Sequence, residues 1–314
     1  MPGNVTDDDL IYAKQLGCSG VVLATPRRLP GDQRWEYHDL LALREWVDGH
    51  ELKVEAIQGI PPPFFDDIRL NGPRRDEQIE HLQATIRNLG QAGIPVLGYN
   101  WRPNQLYRTG TKKMRGGAEV TTFDLDRAKE LPLSHGRLYS ADELWENYAY
   151  FLQAVLPVAE AAGVRLALHP DDPPGPAIGG VARIFSRYED FARASELANS
   201  PSWGLLFCVG CWSEMGAEAN VLKGIRHFGP KGQIVYVHFR DVQGTGDHFS
   251  ECFIGEGNLN VTTVLRTLKD VGFDGALIDD HVPHLLGDEG WAPRGRAYST
   301  GYLAGLLRAV TDLV

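Results

Sequence analysis

The chain has 314 residues, 43% hydrophobic and 23% charged, with a net charge of −10 at neutral pH. That composition can build a large soluble core, and its acidic balance leaves no basic stripe for nucleic-acid phosphates. No apolar run approaches the roughly 20 residues that span a bilayer, and the opening MPGNVTDDDL is too acidic and polar for a secretory signal. Cys18, Cys208, Cys211 and Cys252 are too few for a disulfide framework in a chain this long, so a cytoplasmic setting is expected.

In chain order, Thr6 followed by Asp7, Asp8 and Asp9 reads as the N-cap and acidic first turn of a helix ended by Gly17. GVVLAT at 20–25 is a buried strand. Leu40, Leu41, Leu43, Trp46 and Val47 mark a helix over 37–49. LKVEAIQG at 52–59 is the next strand, and the proline run at 61–63 opens a loop. A long helix over 74–93 carries Ile79, Leu82, Ile86 and Leu89 on one face, and the strand IPVLGYNW follows at 94–101. Residues 102–139, rich in Arg, Lys, Gly and Thr without a clear period, read as a long loop insertion, and such loops usually have a function or are disordered.

Ser140 with Glu143 starts a capped helix that runs to about Ala162. From there VRLALHP, WGLLFCVG, QIVYVHFRD and GALIDDH are strands. They alternate with helices over 188–199, 214–228, 261–271 and 298–314, and GEG at 255–257 is a turn. Short apolar strands alternating with helices predict a parallel sheet covered on both faces. The expected fold is a single domain over 1–314, a TIM-type (β/α) barrel. Seven strands are clear. Only Met1 to Val5 could supply the usual opening strand, so that strand is expected to be vestigial or missing, and a second copy of the chain could cover the position.

Active sites of such barrels sit at the C-terminal ends of the strands. His169, Cys208, His238 and Asp280 all fall there, on the last four readable strands. Singly, each has an ordinary structural reading: a hydrogen-bonded histidine, a small buried thiol, a turn cap. Together, two imidazoles, a thiolate and a carboxylate suit zinc, iron or manganese, whereas calcium or magnesium takes oxygen donors. Cys208 and Cys211 form a lone CxxC, and Cys211 is expected to face elsewhere.

His281, next to Asp280, is placed to act as acid or base. Arg240 shares a strand face with His238 and is expected to clamp a substrate carboxylate, unless it pairs with Asp241 or Asp171. Asp171 and Asp172 either orient His169 or cap the turn. Asn100 and Arg102 are expected to meet substrate hydroxyls. Lys112, Lys113 and Arg115 either steer an anion or form a solvated basic loop.

At these residues the sequence resembles the mannonate dehydratase family, enzymes with a xylose-isomerase-like barrel. The strings are RDEQIEHLQATIRNLGQAGI followed by YNW, then HPDDPP, GLLFC, HFRDV, F-S-E and DDH. The resemblance implies that His169, Cys208, His238 and Asp280 bind manganese and that His281 takes part in catalysis. The chain departs from the pattern after the cysteine, where VGCWSEMG brings in Trp212 and Glu214. It departs again after the DH pair, where Val282 and Pro283 follow. The position of the family's second catalytic residue, a tyrosine, holds Arg294 here, with Tyr298 nearby. The resemblance implies removal of water across C2 and C3 of an aldonate, giving a 2-keto-3-deoxy acid. The alternatives on the same barrel are a metal-dependent sugar isomerase or epimerase, or a sugar-acid binding protein that has lost the chemistry.

Overall fold

The computed structural model describes residues 1–104 and 107–312. The chain forms two compact units, one from Met1–Pro103, Tyr139–His169 and Ala192–Leu205, the other from Asn104–Leu138, Pro170–Phe191 and Leu206–Val314. Among the described residues no helix is long and apolar enough to cross a membrane.

The elements run α1 (Asp7–Gln15), β1 (Gly20–Ala24), α2 (Tyr37–Asp48), β2 (Lys53–Gln58), α3 (Pro62–Leu70), α4 (Arg75–Gln91) and β3 (Val96–Asn100). Next come β4 (Gly110–Lys113), β5 (Glu119–Asp124), α5 (Leu125–Ala128), α6 (Ala141–Ala162), β6 (Arg165–His169), β7 (Ala177–Ile178) and β8 (Val181–Ala182). The rest are α7 (Tyr188–Ala198), β9 (Trp203–Cys208), α8 (Val209–Phe228), β10 (Ile234–Phe239), β11 (Asp241–Thr245), β12 (His248–Cys252), α9 (Val261–Asp270), β13 (Leu277–Asp279) and α10 (Pro293–Asp312). Seven strands stand in one sheet in the order β1-β2-β3-β6-β9-β10-β13.

In the first unit β1, β2, β3 and β6 pair in parallel, with Asn100 opposite His169. Residues Met1 to Gly3 run beside β1 without forming a ladder: Ala24 N–H donates to Met1 O (3.0 Å) and Arg27 N–H to Gly3 O (2.7 Å). Thr6 and Asp9 close a full capping box on α1, and Ser140 Oγ accepts from Glu143 N–H (3.2 Å) at the start of α6. The proline run expected to open a loop instead starts α3. Pro62 and Pro63 stand in the first turn, where a missing N–H costs nothing and the fixed φ suits a helix.

The second unit overturns the reading of 102–139 as a loop. The segment contains β4, β5 and α5, and it builds a four-stranded antiparallel sheet in the order β11-β12-β5-β4. Val120, Phe123 and Leu125 are buried, and Phe123, Leu125, Ala128, Ile178, Val242 and Phe249 form a small core of their own. The sequence showed no strand here because GTKK and the two threonines at 121 and 122 are partly exposed and polar. What makes them strands is pairing: β5 with β12, more than 120 residues away in sequence, and GTKK in turn with β5. The next helix also differs: α8 begins at Val209, directly after β9, with Cys208 Sγ accepting from Cys211 N–H as its cap, and it kinks at Gly216 and Ala217.

Candidate metal centre and active site

His169, Cys208 and His238 are the last or next-to-last residues of β6, β9 and β10, and Asp280 follows β13 by one residue. Those four strands are consecutive in the sheet. In the second unit three of the donors converge. Cys208 Sγ and a His238 ring nitrogen lie within 4.8 Å. Asp280 Oδ1 is 3.5 Å from His238 Nδ1, and Oδ2 is 3.6 Å from Cys208 Sγ. Donors on a tetrahedral ion with bonds of about 2.0–2.3 Å stand about 3.3–3.8 Å apart, so spacing and donor chemistry both fit a divalent transition metal. His169 ends β6 three residues ahead of Asp172.

Around this trio lies a buried charge network that sequence reading mostly missed. Arg240, expected to hold substrate, is 1% exposed and fully occupied by the protein. Its Nε donates to Asp280 (2.9 Å), Nη1 to Glu214 (2.7 Å), and Nη2 to Asp172 (2.9 Å) and Cys211 Sγ (3.3 Å). The alternation along β10 does put it on the His238 face, but its partners are not Asp171 or Asp241. Cys211 therefore faces the cluster too. Asp172, Cys211 and Glu214 would be a plausible donor group, all within 4.8 Å, except that the guanidinium already supplies the positive charge. Gly210 makes room for it: a Cβ there would meet Arg240 Cγ at 2.5 Å. Asp171 turns away, accepting from Phe185 N–H at 2.9 Å.

A second arginine closes the network. Arg108 bonds Asp172 (2.5 Å) and Glu251 (2.7 Å), and Glu251 also bonds His281 Nδ1. His281 Nε2 is 3.8 Å from Asp280 Oδ1. Arg108 did not stand out in the sequence, and Glu251 did so only as the end of the F-S-E string, with no role attached. The spacing of that string was the available signal: Phe249 and Glu251 are two apart in β12, where the strand period places them on one face, and both prove buried.

Burial works against every charge here. At Asp280 it is outweighed by the His281 and His238 rings, which hold the carboxyl well below the usual range. At Glu251 it is outweighed chiefly by His281 and Arg108, down to about 2, and Asp172 is held far down by Arg108 and Arg240. Burial lowers His238, but Asp280 carries it up to about 9. Glu214 goes the other way: burial, helped by nearby Asp172, pushes its carboxyl up to about 8 against the pull of Arg240.

His281 opens onto a cavity of about 320 Å³, lined among others by Arg108, Glu119, Glu251, His284, Trp291 and Arg296. The two residues expected to assist His281 are engaged elsewhere. Arg294 is exposed and bonds the Leu286 carbonyl, because the turn before α10 directs it there. Tyr298 hydrogen-bonds Arg115 and packs edge-on against Phe253. Arg115 is thus tied to Tyr298 and Glu256, Lys113 to Glu119 at 3.5 Å, and Lys112 to Gln243 at 3.4 Å. In the first unit Asn100 Oδ1 accepts from Arg69 Nη1 (3.1 Å), and Arg69 also bonds the Arg102 carbonyl.

Parallel strands in sequence order, leading into helices and carrying polar residues at their C-terminal ends, define an α/β barrel of the xylose-isomerase-like class. The same fold is found in a xylose isomerase domain protein from Planctomyces limnophilus, at a TM-score of 0.62 and 16% identity over 96% of this chain and 92% of that one. Within that class the chain belongs to the D-mannonate dehydratase (UxuA) family, whose sequence profile matches residues 3–132 and 125–314, and it is with that a hydro-lyase. It is 33% identical to mannonate dehydratase 2 of Halalkalibacterium halodurans over 96% of both chains. It superposes on the mannonate dehydratase of Streptococcus suis serotype 2 with a TM-score of 0.87 and 30% identity, covering 98% of this chain and 90% of that one.

Proposed function

We propose that the chain is a metal-dependent dehydratase of a sugar acid, turning a mannonate-like aldonate into a 2-keto-3-deoxy acid and water. In this reading His169, Cys208, His238 and Asp280, at the tips of four consecutive strands, hold one divalent metal. Manganese is the ion the family resemblance implies, and iron or zinc would also suit these donors. When bound, the metal supplies Lewis-acid stabilisation of negative charge beside the reacting carbon.

The remaining work falls to side chains. Glu251 on Nδ1 fixes the His281 tautomer, so Nε2 accepts the C2 proton, and the same carboxylate stabilises the imidazolium that forms. The electron pair left at C2 spreads into the adjoining substrate carboxylate and then expels the C3 hydroxyl, which leaves as water once protonated. Arg108 and Arg240 bond no substrate in this scheme. They hold Asp172, Glu251 and Asp280 in place, as preorganised sites require.

The observation that carries the reading is the convergence of a thiol, an imidazole and a carboxylate beside His281 at the edge of a cavity, in a chain of this family. Four cysteines in 314 residues suit the reducing, cytoplasmic setting of this reading. The test is incubation of purified protein with a panel of aldonates and keto-sugars. At least one aldonate is expected to yield a 2-keto-3-deoxy acid. Aldose–ketose exchange without dehydration would instead make the chain an isomerase, and binding without turnover would make it a binding protein.

A further inference from the structure

We infer that His284 is the second proton-transfer residue of this site, the acid that protonates the departing C3 hydroxyl while His281 takes the proton from C2. The inference rests on the dehydratase reading above. Elimination of water needs two proton transfers, one at each carbon, and the cavity beside His281 must supply the second.

Six titratable side chains line that cavity: Arg108, Glu119, Glu251, His281, His284 and Arg296. Arg108 and Glu251 are bonded to each other, and Glu251 to His281. Arg296 is paired with Asp279 at 3.0 Å, and a guanidinium does not release its proton in a protein. Glu119 is engaged with the Lys113 ammonium at 3.5 Å. That leaves His284. Its ring makes no hydrogen bond or ion pair among the described residues. Imidazole is the side chain that exchanges protons near neutrality.

The placement of His284 is also built. Its N–H donates to Glu119 O (2.9 Å), and Glu119 N–H donates back to His284 O (3.1 Å). This backbone bridge pins the residue against the start of β5. Pro283, buried just ahead of it, fixes the chain direction there. The ring itself is exposed, so solvent can return its proton between turnovers.

The balance is simple. The C2–H bond breaks with its proton going to His281. The pair forms the C2–C3 double bond as the C3–O bond breaks, with the proton of His284 going to that oxygen. Water leaves, and the resulting enol tautomerises to the 2-keto acid.

The two transfers can be separated in deuterium oxide with the metal-loaded protein and the aldonate that the panel selects. His284→Asn is expected to keep exchanging the C2 hydrogen of recovered substrate while losing at least about 10²-fold in water release, with KM little changed. His281→Asn is expected to lose both. If His284→Asn and His284→Gln both dehydrate within about 3-fold of wild type, His284 is not the acid and the dehydratase reading stands. If wild type neither exchanges nor dehydrates any aldonate, that reading and this inference fall together.

Discussion

Replacing His281 by alanine is expected to lower turnover by about 10⁴-fold, the upper end of what one acid–base group contributes, while the metal stays bound. His281 is part-buried at the cavity edge, with Glu251 on Nδ1 and Arg108 Nη2 3.3 Å from the same nitrogen. These partners fix one orientation of the ring. The donors Cys208, His238 and Asp280 keep their mutual contacts without it, and Asp280 keeps Arg240. Turnover and metal content measured on the same preparation check this. Near-normal turnover would remove His281 from the chemistry. Loss of metal together with activity would make it a structural support of Asp280.

Arg240→Met is expected to destabilise the fold by about 3–5 kcal/mol, the cost of breaking a buried ion pair from one side. The methionine keeps much of the stem but leaves Asp172, Glu214 and Asp280 without the cation they share. Buried carboxylates stripped of a partner cannot recover water's solvation. Arg240→Lys should lie between, because an ammonium on a flexible stem cannot reproduce the three-way fork. Denaturant midpoints of the metal-loaded proteins measure the loss. An Arg240→Met protein as stable as wild type would mean the network adds nothing to stability.

What was legible was written locally. His169, Cys208, His238 and Asp280 each close a short apolar run, and the strand ends they mark can be read from one stretch of chain. The supporting half depends on distant pairing. Arg108 reaches Asp172 and Glu251 only because β5 pairs with β12, and nothing near Arg108 in sequence announces that. Arg240 reads as a substrate contact from its position beside His238, whereas its burial among three carboxylates is a tertiary fact. Cys211 is expected from the sequence to face elsewhere, because a lone CxxC has no second pair to complete a site. With α8 beginning directly after Cys208, its thiol instead accepts from Arg240 Nη2 at 3.3 Å. His284 carried no signal of its own, since its role depends on the bridge to Glu119.

The most direct measurement is the metal content of the purified chain and of Cys208→Ser, beside their rates on the selected aldonate. A site of this kind should hold about one divalent transition ion per chain, and exchanging thiolate for hydroxyl should weaken that ion and the rate together. Metal-free protein that dehydrates at the full rate, or a Cys208→Ser protein with unchanged metal affinity, would contradict the four-strand metal site.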